Sequence, residues 1–217
     1  MTDYAARRTV MVDTQVRPSD VTKFPIIDAM LSVPREVFVP QRLREAAYLG
    51  ENLDLGEGRM MLDPRTLAKM LDVLEIEGDH LVLDIGAAYG YSSAVIARMA
   101  EAVVGVERDA AVVEEAQRTL VEQGADNVIM QQGDLTDGAP DHGPYDVILL
   151  QGAVEHLPET ITGQLKEGGR IACLFMEGTL GVVRIGYKID GCVNWRYAFN
   201  AGAPVLPGFE RQAVFTL

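Results

Sequence analysis

The feature that most constrains this chain is a regular alternation of short apolar runs with helix-spaced segments over residues 64–175. The predicted strands are 81–85, 102–106, 128–131, 145–151 and 169–175. Helical spacing separates them, for example over 91–99 and near 159–165. Strands that alternate with helices in this way favour an α/β fold with a mostly parallel sheet.

Towards the end of the chain, strand-like segments follow each other without a helical segment between them. Residues 182–189 and 192–199 flank Asp190-Gly191, a two-residue signal for a β-hairpin. The sheet is therefore expected to have seven strands and to end antiparallel. A further strand is predicted over 212–217, after an irregular loop at 204–208 that is rich in proline and glycine.

The beginning of the chain predicts helices. Apolar residues recur at helical spacing over 26–33 until Pro34 ends the pattern, and Pro64 to Leu74 repeats this spacing with Asp63 suited to the cap. We expect one domain over residues 1–217, because cores of this size seldom divide. Within it, 1–63 would form a helical extension and a substrate-side loop, and 64–217 a cofactor-binding sheet core.

Composition narrows the function classes. Asp and Glu outnumber Lys and Arg by 32 to 19, a net charge of −13, which disfavours a nucleic-acid partner. The apolar runs are too short to span a bilayer and no signal segment opens the chain, so we expect a cytoplasmic protein that does not associate with membranes. Cys173 and Cys192 have no neighbour at metal-ligand spacing, so no metal is expected.

The sharpest motif is Asp84-Ile85-Gly86-Ala87-Ala88-Tyr89-Gly90, which ends the first strand of the sheet core, with Glu107 placed 21 positions after Gly86. Small residues let a ligand approach the backbone closely. Ligands of such sheets lie beyond the carboxyl ends of the strands, where a carboxylate after the second strand can accept hydrogen bonds from both ribose hydroxyls. Glu107 is placed for that role.

A dinucleotide-binding oxidoreductase is the competing nucleotide hypothesis. It requires G-x-G-x-x-G, whereas this chain has Gly86, Ala88 and Tyr91 at those positions. A tyrosine where the helix must pack tightly on the strand disfavours NAD.

The turn resembles the D/E-x-G-x-G-x-G motif of class I methyltransferases, with alanine in place of the middle glycine. This resemblance implies a Rossmann-like fold and S-adenosylmethionine as cofactor, with S-adenosylhomocysteine as product. It also implies that the acidic residue after the third strand lies near the adenine amino group. The predicted cofactor-binding residues are Asp84, Gly86, Ala87, Ala88, Gly90, Tyr91, Glu107, Arg108, Gly133, Asp134 and Leu135.

Other segments resemble the protein-L-isoaspartate O-methyltransferase family. Residues 34–40 are similar to its P-R-x-x-F-V-P signature, and 164–170 to its Q-L-x-x-G-G-R segment. The resemblance covers almost the whole chain. It implies repair of isomerised aspartates in proteins or peptides by methylation of the stray carboxylate.

One segment departs from the family pattern. Where the family has G-x-T-I-S-x-P, this chain has Gly58-Arg59-Met60-Met61-Leu62-Asp63-Pro64, so the threonine and serine hydroxyls are replaced by Met60 and Leu62. Two rivals therefore stay open: a methyltransferase with another acceptor, and a non-catalytic S-adenosylmethionine-binding protein.

The substrate-side candidates are Arg59, Met60, Leu62, Asp63, Gln151 and His156. Arg59 is a candidate to pair a substrate carboxylate bidentately, against the alternative of a solvated arginine. For Asp63 the alternative is a helix cap, and for His156 a structural role. No catalytic residue is assigned, and the sequence does not determine the oligomeric state.

Overall fold

The computed structural model describes residues 3–211, and the predicted seven-stranded sheet lies at its centre. Its strands are β3 (Leu81–Ile85), β4 (Ala102–Glu107), β5 (Val128–Gln132), β6 (Tyr145–Val154), β7 (Leu165–Glu177), β8 (Leu180–Ile189) and β9 (Cys192–Asn200). The spatial order is β5-β4-β3-β6-β7-β8-β9, and β3 to β7 are parallel. Because the order runs outward in both directions from β3, a crevice is expected at the carboxyl ends of β3, β4 and β6.

Alternate residues of the central strands face two separate apolar clusters. In β3, Val82 belongs to one cluster, and Leu83 and Ile85 belong to the other. The first cluster contains residues of five helices: α1 (Tyr4–Met11), α2 (Phe24–Ser32), α3 (Pro64–Leu74), α4 (Tyr91–Ala97) and α5 (Ala110–Glu122). The second contains α6 (Glu159–Gly163) and apolar residues of 206–209. Among the described helices, none has the length and apolar character that a bilayer crossing requires.

Short helical turns connect the front helices. A π-helical turn covers Val12–Val16, and 3-10 turns cover Arg17–Ser19, Arg35–Phe38, Gln41–Ala46 and Pro140–His142. The predicted helix that Pro34 ends is α2, and the predicted helix at Pro64 is α3. The helical extension expected from the sequence is therefore present.

The hairpin predicted at Asp190-Gly191 is confirmed. Ile189 pairs with Cys192, and the two turn residues have φ values of +52° and +76°. These left-handed conformations give the tight turn a twist that matches antiparallel strands. The predicted strand at 212–217 lies outside the described residues.

The predicted boundary between α6 and β7 was wrong by several residues. We expected the helix to reach Leu165 and the strand to begin at Gly169, but α6 ends at Gly163 and β7 begins at Leu165. Leu165 pairs with Tyr145, and a register shift separates this pair from the rest of the ladder. Long-range pairing with β6, which the local sequence does not encode, decides this boundary.

A two-stranded hairpin forms where the sequence predicted a loop. It consists of β1 (Leu53–Gly56) and β2 (Arg59–Met61). Leu53 pairs with Met61 and both side chains are buried, and residues 56–58 all have positive φ in the turn between the strands. The strands are too short for their alternation to be recognised in the sequence. Met60, the first of the two positions that lack the family hydroxyls, lies in β2, and Leu62, the second, directly follows it.

Candidate functional site

The turn after β3 is shaped by three residues with positive φ: Gly86 at +76°, Ala88 at +48° and Gly90 at +90°. The amides of Gly86 and Ala87 both donate to the carbonyl oxygen of Val106, at 2.9 and 3.2 Å. A left-handed alanine costs roughly 1–2 kcal/mol. The turn thus accepts Ala88 with some strain and remains anchored to β4.

Asp84 lies beneath this turn and is fully buried. Its Oδ2 accepts hydrogen bonds from the hydroxyls of Ser92 and Ser93, each at 2.6 Å, and its Oδ1 accepts one from Nε2 of Gln151 at 2.7 Å. Burial raises the pKa of the Asp84 carboxyl, and these three hydrogen bonds partly oppose that effect. Asp84 therefore joins β3 to α4 and β6 and stabilises the turn from below.

Glu107 ends β4 and its side chain is 1% exposed. Its carboxylate accepts hydrogen bonds from Nε and Nη2 of Arg59 at 2.8–2.9 Å, from the Arg108 amide at 2.7 Å and from the Ala88 amide at 3.2 Å. The predicted ribose-binding carboxylate thus lies beside the predicted turn. It also forms a buried bidentate ion pair that the sequence analysis did not anticipate.

A cavity of about 500 Å³ lies against Glu107 and the turn. Its volume is within the range of small-molecule sites. It is lined by Leu55, Gly56, Glu57, Arg59, Ala88, Tyr89, Glu107, Arg108, Asp109 and Val112. The β1–β2 hairpin forms one wall, and the carboxyl end of β4 with the start of α5 forms the other.

A second, narrow space lies between the hairpin and the turn. Its volume is about 10 Å³, close to that needed for one water molecule. The residues lining it are Leu55, Met60, Met61, Leu62, Leu67, Ala87, Ala88, Tyr89, Tyr91, Ser92 and Gln151. The structure therefore brings Met60, Leu62 and Gln151, three of the substrate-side candidates, next to the turn in a narrow and mostly apolar space.

The segment after β5 approaches the same region. The Gly133 amide donates to the Glu107 carbonyl at 3.1 Å, and the side chain of Leu135 is buried, 3.8 Å from the position of a Cβ on Gly86. The Asp134 side chain is exposed. Its proposed contact with adenine stays a prediction.

Other substrate-side candidates lie in different settings. Asp63 caps α3, because its carboxylate accepts a hydrogen bond from the Thr66 amide at 2.9 Å. Arg59 is buried, so the alternative of a solvated arginine was wrong. Its guanidinium group donates hydrogen bonds to Glu107. His156 is exposed and lines a separate cavity of about 290 Å³ with Phe175. The structure does not bring His156 into contact with the Glu107 cavity.

Sequence reasoning missed the segment that follows β9. Leu206 is 1% exposed, and its side chain lies 3.3 Å from a Cβ position on Gly86 and 2.7 Å from one on Gly152. Hydrogen bonds between Ala153 and the segment, at 2.8 and 2.9 Å, hold it in place. The segment was predicted as an irregular loop, which is confirmed, but nothing in the local pattern indicates that it packs on the site.

Arg35 was also missed as a site residue. It is fully buried, donates from Nε to the Ala47 carbonyl and from Nη2 to the Leu62 carbonyl, both at 2.6 Å, and lies over the Tyr91 ring at 4.7 Å. It therefore fixes the backbone of the substrate-side segment. The available signal was Pro34-Arg35, which begins the segment that resembles the family signature.

Comparisons with known proteins identify the family to which this chain is similar. The family model described as protein-L-isoaspartate(D-aspartate) O-methyltransferase matches residues 7–181. Protein-L-isoaspartate O-methyltransferase 1 of Rhodopseudomonas palustris is 38% identical over 170 residues, which is 78% of this chain and 69% of that protein. Protein-L-isoaspartate O-methyltransferase 2 of Pelobacter propionicus is 34% identical over 205 residues, 91% of each chain.

Solved structures show the same fold. A protein-L-isoaspartate O-methyltransferase superposes with a TM-score of 0.79 at 27% identity and covers 95% of this chain, which spans 66% of the length of that one. A Plasmodium falciparum structure assigned to the same family, in complex with S-adenosyl-L-homocysteine, also has a TM-score of 0.79. It is 18% identical and covers 95% of this chain and 99% of its own.

Proposed function

This chain belongs to the protein-L-isoaspartate(D-aspartate) O-methyltransferase family, and on that premise we propose that it methylates the carboxylate of isoaspartyl residues in proteins or peptides, with S-adenosylmethionine as donor. The observation that carries the proposal is the position of Glu107. Its carboxylate is buried at the end of β4, within hydrogen-bond distance of the Ala88 amide in the turn, and borders a cavity of about 500 Å³. In sheets of this kind, a carboxylate at the end of the strand beside the turn is the group that accepts hydrogen bonds from the ribose.

The residues present fit the nucleoside of this cofactor. Glu107 would hold the ribose, and the backbone of Gly86 to Gly90 would border it, since small residues permit close approach. When bound, S-adenosylmethionine supplies an electrophilic methyl group and leaves as S-adenosylhomocysteine. The contacts proposed for Arg108 and Asp134 extend the same site.

For this reaction the protein mainly has to orient the acceptor carboxylate and the methyl donor and to exclude water, and it does not need a strong base. An acceptor carboxylate has a pKa of about 4 and is already ionised at neutral pH. Met60 and Leu62 present apolar walls beside the turn. In the proposed reaction these walls would keep water from the reacting groups. Arg35 holds the Leu62 backbone through its hydrogen bond to the carbonyl and thereby fixes this wall.

The missing hydroxyls favour a second candidate, in which the acceptor is another small-molecule or protein carboxylate. Neither Met60 nor Leu62 can donate a hydrogen bond to a carboxylate. Loss of one such donor costs about 1.5–3 kcal/mol, or roughly 10- to 150-fold in rate. We therefore expect slow turnover on isoaspartyl peptides, or preference for a different carboxylate.

Further parts of the proposal come from the sequence. They are a single methyltransferase domain over residues 1–217, a reaction without a metal ion, a cytoplasmic location, and protein or peptide substrates with no nucleic-acid or membrane partner. The acidic net charge of −13 supports the exclusion of nucleic acid.

The test is transfer of a labelled methyl group to an isoaspartyl peptide and to its normal aspartyl twin. Selective labelling of the isoaspartyl peptide is expected. A Met60→Thr variant, which restores one hydroxyl at a half-buried position, is expected to label faster. Calorimetric binding of S-adenosylhomocysteine is measured in parallel. Cofactor binding without labelling would exclude the isoaspartyl acceptor, and absence of both would exclude methyl transfer.

A further inference from the structure

The carboxylate of Glu107 has no acceptor position left for a ligand. A carboxylate offers roughly four lone-pair positions. Nε and Nη2 of Arg59 take two of them, and the amides of Ala88 and Arg108 take the others, at 2.7–3.2 Å. A ribose diol needs two acceptor positions on this same group. The diol and Arg59 cannot both be bound to Glu107 in this arrangement.

We propose that Arg59 is an internal competitor for the ribose hydroxyls of the cofactor, and that its guanidinium must leave Glu107 before the cofactor binds fully. The inference rests on the proposed function, because it assumes a cofactor with a ribose diol. It makes Arg59 a determinant of cofactor affinity. The backbone amides of Ala88 and Arg108 stay bonded to Glu107 in both arrangements, so only the two positions held by Arg59 are exchanged.

The surroundings of Arg59 allow this exchange. Its side chain is 9% exposed and borders the cavity of about 500 Å³, so the guanidinium has space to turn without displacement of the core. Its Nη1 is buried and has no hydrogen-bond partner among residues 3–211. An unpaired buried donor destabilises the closed arrangement. Glu57 lines the same cavity and offers its carboxylate to a displaced guanidinium. Asp109 lines it too and offers the carboxylate oxygen that does not cap α5.

The competing explanation is that the Arg59–Glu107 ion pair only stabilises the packing of the hairpin against the sheet. The two explanations predict opposite effects on cofactor binding when Arg59 is replaced. If the ion pair is structural, its loss loosens the cavity and weakens binding. Loss of a competitor frees two acceptor positions on a carboxylate that the backbone amides still hold, and binding becomes tighter.

The experiment measures binding of S-adenosylhomocysteine by calorimetry to the full chain and to Arg59→Met. The variant is expected to bind on the order of tenfold more tightly, the equivalent of one charged hydrogen bond. Arg59→Lys, which keeps the charge but not the planar fork, is expected to fall between the two. Arg108→Met removes an exposed charge from the same cavity without freeing Glu107, and is expected not to tighten binding.

A second pair of ligands tests whether the tighter binding to Arg59→Met depends on the ribose hydroxyls. Adenosine is expected to bind Arg59→Met more tightly than the native chain, whereas 2′,3′-dideoxyadenosine is expected to bind both alike. Equal or weaker binding of S-adenosylhomocysteine to Arg59→Met and Arg59→Lys, with native circular dichroism, would overturn the inference and leave the proposed function intact. The inference would also be overturned if 2′,3′-dideoxyadenosine bound Arg59→Met more tightly than the native chain. Failure of every form to bind S-adenosylhomocysteine would instead refute the proposed cofactor, and the inference with it.

Discussion

The packing of Leu206 over the site gives a quantitative prediction. A Cβ on Gly152 would lie 2.7 Å from Cγ and 2.8 Å from Cδ2 of Leu206, which is closer than real Cβ contacts. Both residues are buried, and the hydrogen bonds of Ala153 hold the segment in place, so neither backbone is free to withdraw. We therefore expect Gly152→Ala to destabilise the fold because it overpacks against Leu206.

The magnitudes follow from the type of contact. Overpacking of this kind costs about 1–3 kcal/mol, and Leu206→Ala, which empties a buried site, costs about 2–5 kcal/mol. In the double variant the new methyl group occupies part of the vacated space. Its free energy of unfolding should therefore be close to that of Leu206→Ala alone, which corresponds to a coupling energy of about 1–3 kcal/mol.

Urea unfolding of the native chain, both single variants and the double variant measures this coupling. Gly163→Ala is the matched control, because nothing lies within 4 Å of the added Cβ and its φ is not positive. Because Gly163 ends α6, this change should raise stability by up to about 1 kcal/mol, and by the same amount in both Leu206 backgrounds. Additivity of Gly152→Ala and Leu206→Ala within about 0.5 kcal/mol would refute the packing of this segment on β6.

Two further predictions concern the groups beside the turn. Leu62→Ser, which restores a family hydroxyl, should lower the free energy of unfolding by about 2–5 kcal/mol, because Leu62 is 2% exposed in the core; a loss below about 1 kcal/mol in urea unfolding would contradict that burial. Because the folded pKa of Asp84 is raised, its contribution to stability is present below its unfolded pKa and lost as pH rises through the folded pKa. The stability of the native chain relative to Asp84→Asn should therefore fall as pH rises from about 4, and a rise over that range in unfolding measurements would show that the hydrogen bonds of Asp84 outweigh its burial.

Local patterns in the sequence determined most of the strands and the position of Glu107 beside the turn after β3. Strand and helix periodicities are set by residues within a few positions, so they predict β3 to β6 and most of β7 without knowledge of the packing. The Asp190-Gly191 turn is likewise local, because its two residues accept positive φ. Glu107 could be placed because it ends a strand next to the one that carries Asp84.

Tertiary structure alone decided which distant side chains meet at the candidate site. Arg59 meets Glu107 across 48 positions in sequence, so no local pattern distinguishes it from a free arginine that could bind substrate. The contacts of Leu206 with Gly86 and Gly152 are equally invisible to local patterns. These residues meet only when the segment after β9 folds back across the sheet. Sequence periodicity reports which face of an element is buried, whereas the partner of a buried charge or side chain depends on how distant elements pack.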